Sequence, residues 1–200
     1  MNFQTNTTST SSIKLLSDLF QARRYGRVYG GRFADIANHD TLPGDVTIRL
    51  AHELAQHRST ISIETHDFNT PPDEQAVRYA LLVAVRALSD GHNVYCGCAG
   101  GIGRTGLFLA LLVAALRTKC RNPVKFVREN YNKGAVETPK QLAYLDSFIR
   151  RNQPFFAELR AMMHRTNLQI TSNRRPPRST KQHTKHPVKI SSPPKHSSLT

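Results

Sequence analysis

Residues Val94 to Leu116 constrain this chain more than any other stretch. Val94-Tyr95-Cys96-Gly97-Cys98 is short and apolar, Ala99-Gly100-Gly101-Ile102-Gly103-Arg104-Thr105-Gly106 is rich in glycine, and Leu107 to Leu116 is an unbroken apolar run. A strand over Asn93–Cys96, then a curled turn and a buried helix, is the reading that satisfies all three pieces. Glycine accepts positive φ without steric cost, and a helix that is apolar all round has to be buried. The turn then sits at a helix N-terminus, where N–H groups and the helix dipole converge on one point. Such a turn is a cradle for a phosphate-sized anion. Cys98 opens it and Arg104 closes it. A guanidinium fork holds two oxygens of one phosphoryl group, and a cysteine beside both a helix N-terminus and an arginine is expected as the thiolate. Nucleophile, anion site and charge clamp fall within seven residues.

A rival reading uses the same letters. Gly101-Ile102-Gly103-Arg104-Thr105-Gly106 is also a G-x-G-x-x-G, the dinucleotide fingerprint. That reading needs a second strand after the helix, ending in an acidic residue. The chain continues instead with Asn122 to Asn130, a helical pattern with Pro123 near its start. The dinucleotide reading, and that of a purely structural glycine turn, rank below the anion cradle.

Cys98 to Gly106 resembles the C-x5-R-[ST]-G signature of the cysteine-dependent protein tyrosine and dual-specificity phosphatases. The resemblance implies an α/β fold, with a central mostly parallel sheet flanked by helices as in the dual-specificity members. It implies hydrolysis of phosphomonoesters in two steps through a cysteinyl-phosphate, with no metal and no other cofactor. Cys98 would be the nucleophile. Ala99, Gly100, Gly101, Ile102, Gly103 and Arg104 would bind the phosphoryl group, and the Thr105 hydroxyl would stabilise the departing thiolate. The family's general acid is an aspartate upstream on a mobile loop. Asp67, 31 residues before Cys98, is the better match, and Asp73, 25 residues before it, is the alternative. Asp73 also reads as an acid offsetting the dipole in the first turn of a helix. His66 is placed either to orient Asp67 or simply as a surface histidine.

A second stretch, Gly134-Ala135-Val136-Glu137-Thr138-Pro139-Lys140-Gln141, resembles the family's glutamine-bearing element. Gln141 would hold the hydrolytic water. The same letters make a capping box, with Thr138 as N-cap, Pro139 at the first helical position and Gln141 at N3. One departure stands out: the family usually has histidine immediately before the nucleophile, and this chain has Gly97. The resemblance covers roughly Arg27 to Met163. It implies phosphorylated proteins as substrates, phosphotyrosine and also phosphoserine or phosphothreonine. The absence of lysine inside the cradle lowers a phosphoinositide reading. An RNA 5′-triphosphatase stays open because of the basic tail, and a catalytically weak binding module because of Gly97.

Elsewhere the pattern is that of an α/β domain. Arg27–Tyr29 and Arg32–Ala34, separated by Gly30 and Gly31, read as a strand pair or a bent edge strand. Val46–Leu50 and Thr60–Glu64 alternate as strands, and Ala51–His57 reads as a short helix. Val77, Ala80, Leu81, Ala84 and Leu88 lay an apolar stripe along a helix over Asp73–Asp90. Ser12–Ala22 reads as a short helix or an irregular lead-in, and Thr41–Gly44 as a turn. Leu142, Tyr144, Leu145 and Phe148 are expected to pack inward, and Phe155–His164 to form a last helix.

Two hundred residues then divide into a flexible polar N-terminus (1–12), a phosphatase-like catalytic domain (13–168) and a disordered basic tail (169–200). From Asn173 onward there are seven Lys and Arg and no acid, which is half of the net charge of +14. With its prolines and serines that segment has almost nothing to bury. It is suited to nucleic acid or an anionic membrane surface, or to a bland solubilising role. Three cysteines are too few and too odd a number for a disulfide framework. The expected compartment is the reducing cytoplasm. Cys96 reads as a strand residue and Cys120 as a helix-end residue, with capture of oxidised Cys98 by either as the sharper alternative. No apolar run reaches the ~18 residues of a membrane span, and the first twelve residues lack the pattern of a secretory signal.

Overall fold

The computed structural model describes residues 11–13, 25–37 and 45–172, with side chains to residue 165. Five strands form one sheet: β1 (Ser11–Ile13), β2 (Val28–Arg32), β3 (Val46–Arg49), β4 (Ile61–Ser62) and β5 (Val94–Cys98), in the order β1-β2-β5-β3-β4. β1 runs antiparallel at one edge and every other pairing is parallel. Six helices complete the described chain: α1 (Phe33–Ala37), α2 (Glu74–Ser89), α3 (Gly103–Leu116), α4 (Pro123–Asn130), α5 (Pro139–Arg151) and α6 (Gln153–Ser172). This is the α/β arrangement expected, with the central strand β5 buried along its whole length. None of the described helices is long and apolar enough to cross a membrane.

Alternation along β5 sorts the two faces of the sheet. Val94, Cys96 and Cys98 join the main core with Val28, Ile48 and the apolar run of α3. Tyr95 points the other way, into a small cluster with Phe33 and Ile36 of α1. Among the residues of α3 only Ala114 escapes full burial, because α4, α5 and α6 cover the side turned away from the sheet. The helix is thus fixed on every side, and so is the loop that precedes it.

Three helix starts obey the capping rules. Asp73 accepts from Gln75 N at the start of α2, Asn122 from Lys125 N at the start of α4, and Thr138 with Gln141 forms a complete capping box on α5. Asp73 is therefore the N-cap, one residue before α2, rather than an acid inside its first turn, a place that Glu74 holds.

Several local expectations are corrected. Gly30 and Gly31 do not divide two strands: β2 runs straight through them and is flanked by β1 and β5, so it is not an edge. They are glycines because of close neighbours. A Cβ at Gly30 would lie 2.8 Å from the Tyr131 ring, and one at Gly31 2.4 Å from the Tyr95 hydroxyl. Arg32–Ala34 is the β2–α1 junction rather than a second strand. The helix expected over Ala51–His57 is a single 3-10 turn, His52–Leu54. Leu142 is 37% exposed, while Leu145 and Phe148 pack inward and Tyr144 is half-buried. Cys120 lies in the turn after α3, its N–H bonded to Arg117 O, rather than at the helix end. The last helix is longer than expected at both ends, reaching Ser172. The turn at Thr41–Gly44, the lead-in beyond Ile13 and the basic tail from Asn173 lie outside the described residues.

Candidate active site

The cradle forms as its glycines require. Gly101 has φ +70, and a Cβ there would meet the backbone of Gly31 and Arg32 at 2.6–2.7 Å. The loop therefore lies directly on the β2–α1 junction. The Tyr131 hydroxyl donates to Gly101 O from the opposite side, and burial pushes that phenol well up, so it stays a donor. Ile102, the residue before α3, offers no capping side chain to the helix start. The first-turn N–H groups are thereby left facing the bowl, where an anion would sit.

Cys98 lies at the floor. Its Sγ accepts from Gly101 N at 3.2 Å and from the Thr105 hydroxyl at 3.2 Å, and Thr105 Oγ1 in turn accepts from Cys98 N at 3.0 Å. Cys96, two residues earlier in β5, is fully buried, and burial pushes its thiol far up, with Tyr29 O 3.6 Å away. It is a strand residue of the core. Cys120 lies past the far end of α3, whose fourteen residues span about 21 Å.

Arg104 is 3% exposed and its guanidinium is held by three groups. Nη1 donates to Glu53 Oε2 and to Thr65 O, both at 2.8 Å. Nη2 donates to Glu53 Oε1 at 2.6 Å and faces Asp67 Oδ1 at 2.9 Å. Nε is buried and has no partner among the described residues. A buried, unpartnered donor is costly, and this one belongs to the side chain that closes the anion cradle. Sequence reasoning alone does not single out Glu53. It follows β3, at the carboxyl end of a parallel strand where ligands gather in such sheets, and that placement is the signal that points to it.

Hydrogen bonding from Arg104 holds the Glu53 carboxyl below its ordinary value of 4.5. A carboxyl depressed on folding contributes stability above its ordinary value and loses it as pH falls further. The urea midpoint of the native chain is therefore expected to drop between about pH 5 and about pH 3 by more than that of Glu53→Gln. Parallel curves would place this contact outside the stability of the fold.

The candidate acid reaches the same guanidinium. Asp67 and the next residue, Phe68, form the tip of the β4–α2 connection. Phe68 has φ +55, is 59% exposed, and donates its N–H to Asp67 Oδ1 at 3.1 Å. The tip is tied to the start of α5 by three bonds: Thr138 Oγ1 to Phe68 O, Lys140 Nζ to Asn69 Oδ1, and Gln141 Nε2 to Asn69 O. Gln141 is fully buried, and its Oε1 accepts from the N–H groups of Glu137 and Thr138. Gln141 thus ties the capping box of α5, of which it is part, to the loop that carries Asp67. His66 packs against His52, with ring centroids 4.5 Å apart and the rings tilted by 45°, and among the described residues it makes no hydrogen bond to Asp67.

Gly97, the residue before Cys98, has no room for a side chain. A Cβ there would come within 2.8 Å of Gly31 O and 3.0 Å of Phe33 N. α1 turns directly over this position and fills the space a side chain would need. The lack of a strand after α3, where α4 comes next instead, also removes the dinucleotide arrangement.

No protein-family model matches the chain. Two uncharacterised proteins of Methanocaldococcus jannaschii align with it over a short segment. One is 36% identical over 64 residues, 32% of this chain and 42% of that protein. The other is 38% identical over 63 residues, 32% of this chain and 38% of that protein. The matched segment spans less than half of either relative. Among solved structures, the active form of Tk-PTP matches with a TM-score of 0.52 and 23% identity, over 63% of this chain and 93% of that one. Kinase-associated phosphatase with its catalytic cysteine changed to serine matches with a TM-score of 0.53 and 18% identity, over 72% and 94%. The chain therefore has the fold of the protein tyrosine and dual-specificity phosphatases.

Proposed function

We propose that the chain is a phosphatase that hydrolyses phosphomonoesters through a cysteinyl-phosphate. The observation that carries this reading is the meeting of Cys98, Arg104 and Asp67 on one glycine cradle, with the Arg104 Nε unpartnered among the described residues. In the first step the Cys98 sulfur attacks phosphorus, the bond to the leaving oxygen breaks, and the Asp67 carboxyl gives that oxygen its proton. The cradle N–H groups and the Arg104 fork hold the three non-bridging oxygens as charge redistributes. In the second step water attacks phosphorus, Asp67 takes its proton, and the sulfur leaves with the Thr105 hydroxyl bonded to it. Asn69 O takes one hydrogen of Gln141 Nε2, and this reading assigns the other to that water.

An incoming phosphoryl group competes with Asp67 for Nη2. Binding would release the carboxyl beside the leaving oxygen. The exposed Phe68 ring, next in sequence to Asp67, offers an apolar wall to an aromatic leaving group. This favours aryl phosphates, and phosphotyrosine in proteins above phosphoserine or phosphothreonine.

The test is hydrolysis of p-nitrophenyl phosphate in EDTA, with Asp67→Asn and Asp73→Asn compared. Asp67→Asn is expected to lower kcat by about 10²–10⁴ for a poor leaving group and by less for p-nitrophenol. Asp73→Asn keeps a cap and is expected to stay near native activity. Turnover that requires added divalent metal would overturn the mechanism, and equal effects of the two substitutions would remove Asp67 from the acid role.

A further inference from the structure

A second feature of the molecule takes no part in this chemistry. Between α4 and α5 runs a groove formed of two joined hollows of about 490 and about 500 Å³, which share Arg121, Pro123 and Asp146. It begins at the end of α3 beside Arg160 and ends at Leu142, the residue after Gln141. Its walls carry Arg117, Arg121, Lys125, Arg128, Arg150 and Arg160 against only Asp146 and Glu129.

Part of this charge has local work. Arg160 donates to Ala115 O at the end of α3, Arg128 donates to Ala135 O and Val136 O, and Lys125 faces Glu129 at 3.8 Å. Arg121 and Arg150 have no such partner among the described residues. Cations gathered this closely repel one another, and an anion in the groove would relieve that repulsion.

The lining also selects among anions. No aromatic ring lines either hollow, so stacked bases would find no platform. Val124, Leu142, Leu145 and Ile149 instead present aliphatic surface between the cations. From Leu142 to Arg150 the groove runs along α5 for about 12 Å, the length of about four extended residues.

We propose that this groove docks an extended acidic segment, with interspersed aliphatic side chains, of the phosphorylated protein that the active site hydrolyses. The proposal rests on the phosphatase reading. The Leu142 end of the groove is next in sequence to Gln141, which donates to Asn69 O on the loop that carries Asp67.

Arg121→Glu/Arg150→Glu tests it with three substrates: p-nitrophenyl phosphate, a phosphotyrosine peptide flanked by glutamates and leucines, and the same peptide with serines in their place. The native chain is expected to prefer the acidic peptide by about tenfold in kcat/KM, through KM. The double variant is expected to lose that preference while keeping its rate on the other two substrates within about twofold. Equal cleavage of both peptides by the native chain, or an equal loss on all three substrates, would overturn the docking role. Fluorescence anisotropy of the unphosphorylated acidic peptide reads the groove independently of turnover. Tighter binding to the native chain than to the variant supports docking even where no substrate is cleaved, and equal binding overturns it. Tighter binding of single-stranded RNA of matched length than of the peptide would overturn it in favour of nucleic acid.

Discussion

Cys98→Ser is expected to abolish hydrolysis of p-nitrophenyl phosphate, with a fall in kcat of the order of 10⁴–10⁶. The reason lies in the geometry at the sulfur. The N–H of Gly101 and the hydroxyl of Thr105 both point at Sγ from 3.2 Å, distances suited to a large, diffuse anion. A serine hydroxyl in the same bowl holds its proton far more tightly, and no base among the described residues bonds to that position to remove it. The cradle itself is untouched, because its shape rests on Gly101, Tyr131 and the β2–α1 junction. Orthovanadate binding, read by protection against thermal unfolding, is therefore expected to survive in the variant. Turnover by Cys98→Ser above about a hundredth of the native rate would mean that another group does the attacking.

Arg104→Lys is expected to cost about 10³ in kcat/KM, and to lower stability as well. A lysine ammonium is a point charge without the planar fork. It cannot meet both oxygens of Glu53 and also present a second pair of donors to a phosphoryl group. The substitution leaves Thr65 O, which lies in a buried residue, without the bond it receives from Nη1, and a buried acceptor left bare costs about 1–3 kcal/mol. The two effects separate by measurement. Steady-state kinetics report the phosphoryl contact, and the urea midpoint reports the internal one. A variant with native kcat/KM would show that the guanidinium has a purely architectural role.

The reach of each interaction decides how much of it the amino-acid order discloses. β5, the cradle and α3 are local: their shape is set by glycine positions and one apolar run, so Cys98, Arg104 and Thr105 can be placed without knowledge of the fold. The caps on α2, α4 and α5 are legible for the same reason. Glu53 and the Gln141–Asn69 tie are not. Glu53 meets a guanidinium 51 residues away and Gln141 reaches a carbonyl 72 residues away, and no spacing rule encodes such meetings. Gly30 and Gly31 mislead because glycine serves two needs, turning and close approach, and here the neighbouring Tyr131 and Tyr95 impose the second. Gly97 is the same case: only the position of α1 explains why a side chain is missing there.

The contact between Asp67 and Arg104 bears on how a cycle would close. Inorganic phosphate, once made, would lie in a seat that the Asp67 carboxylate reclaims only after giving up the proton it took from water. A group held on a short loop acts as if present at millimolar concentration or above, so the resting contact would be restored without waiting for dilution. The same side chain that delivers the proton at the start would help turn the product out at the end.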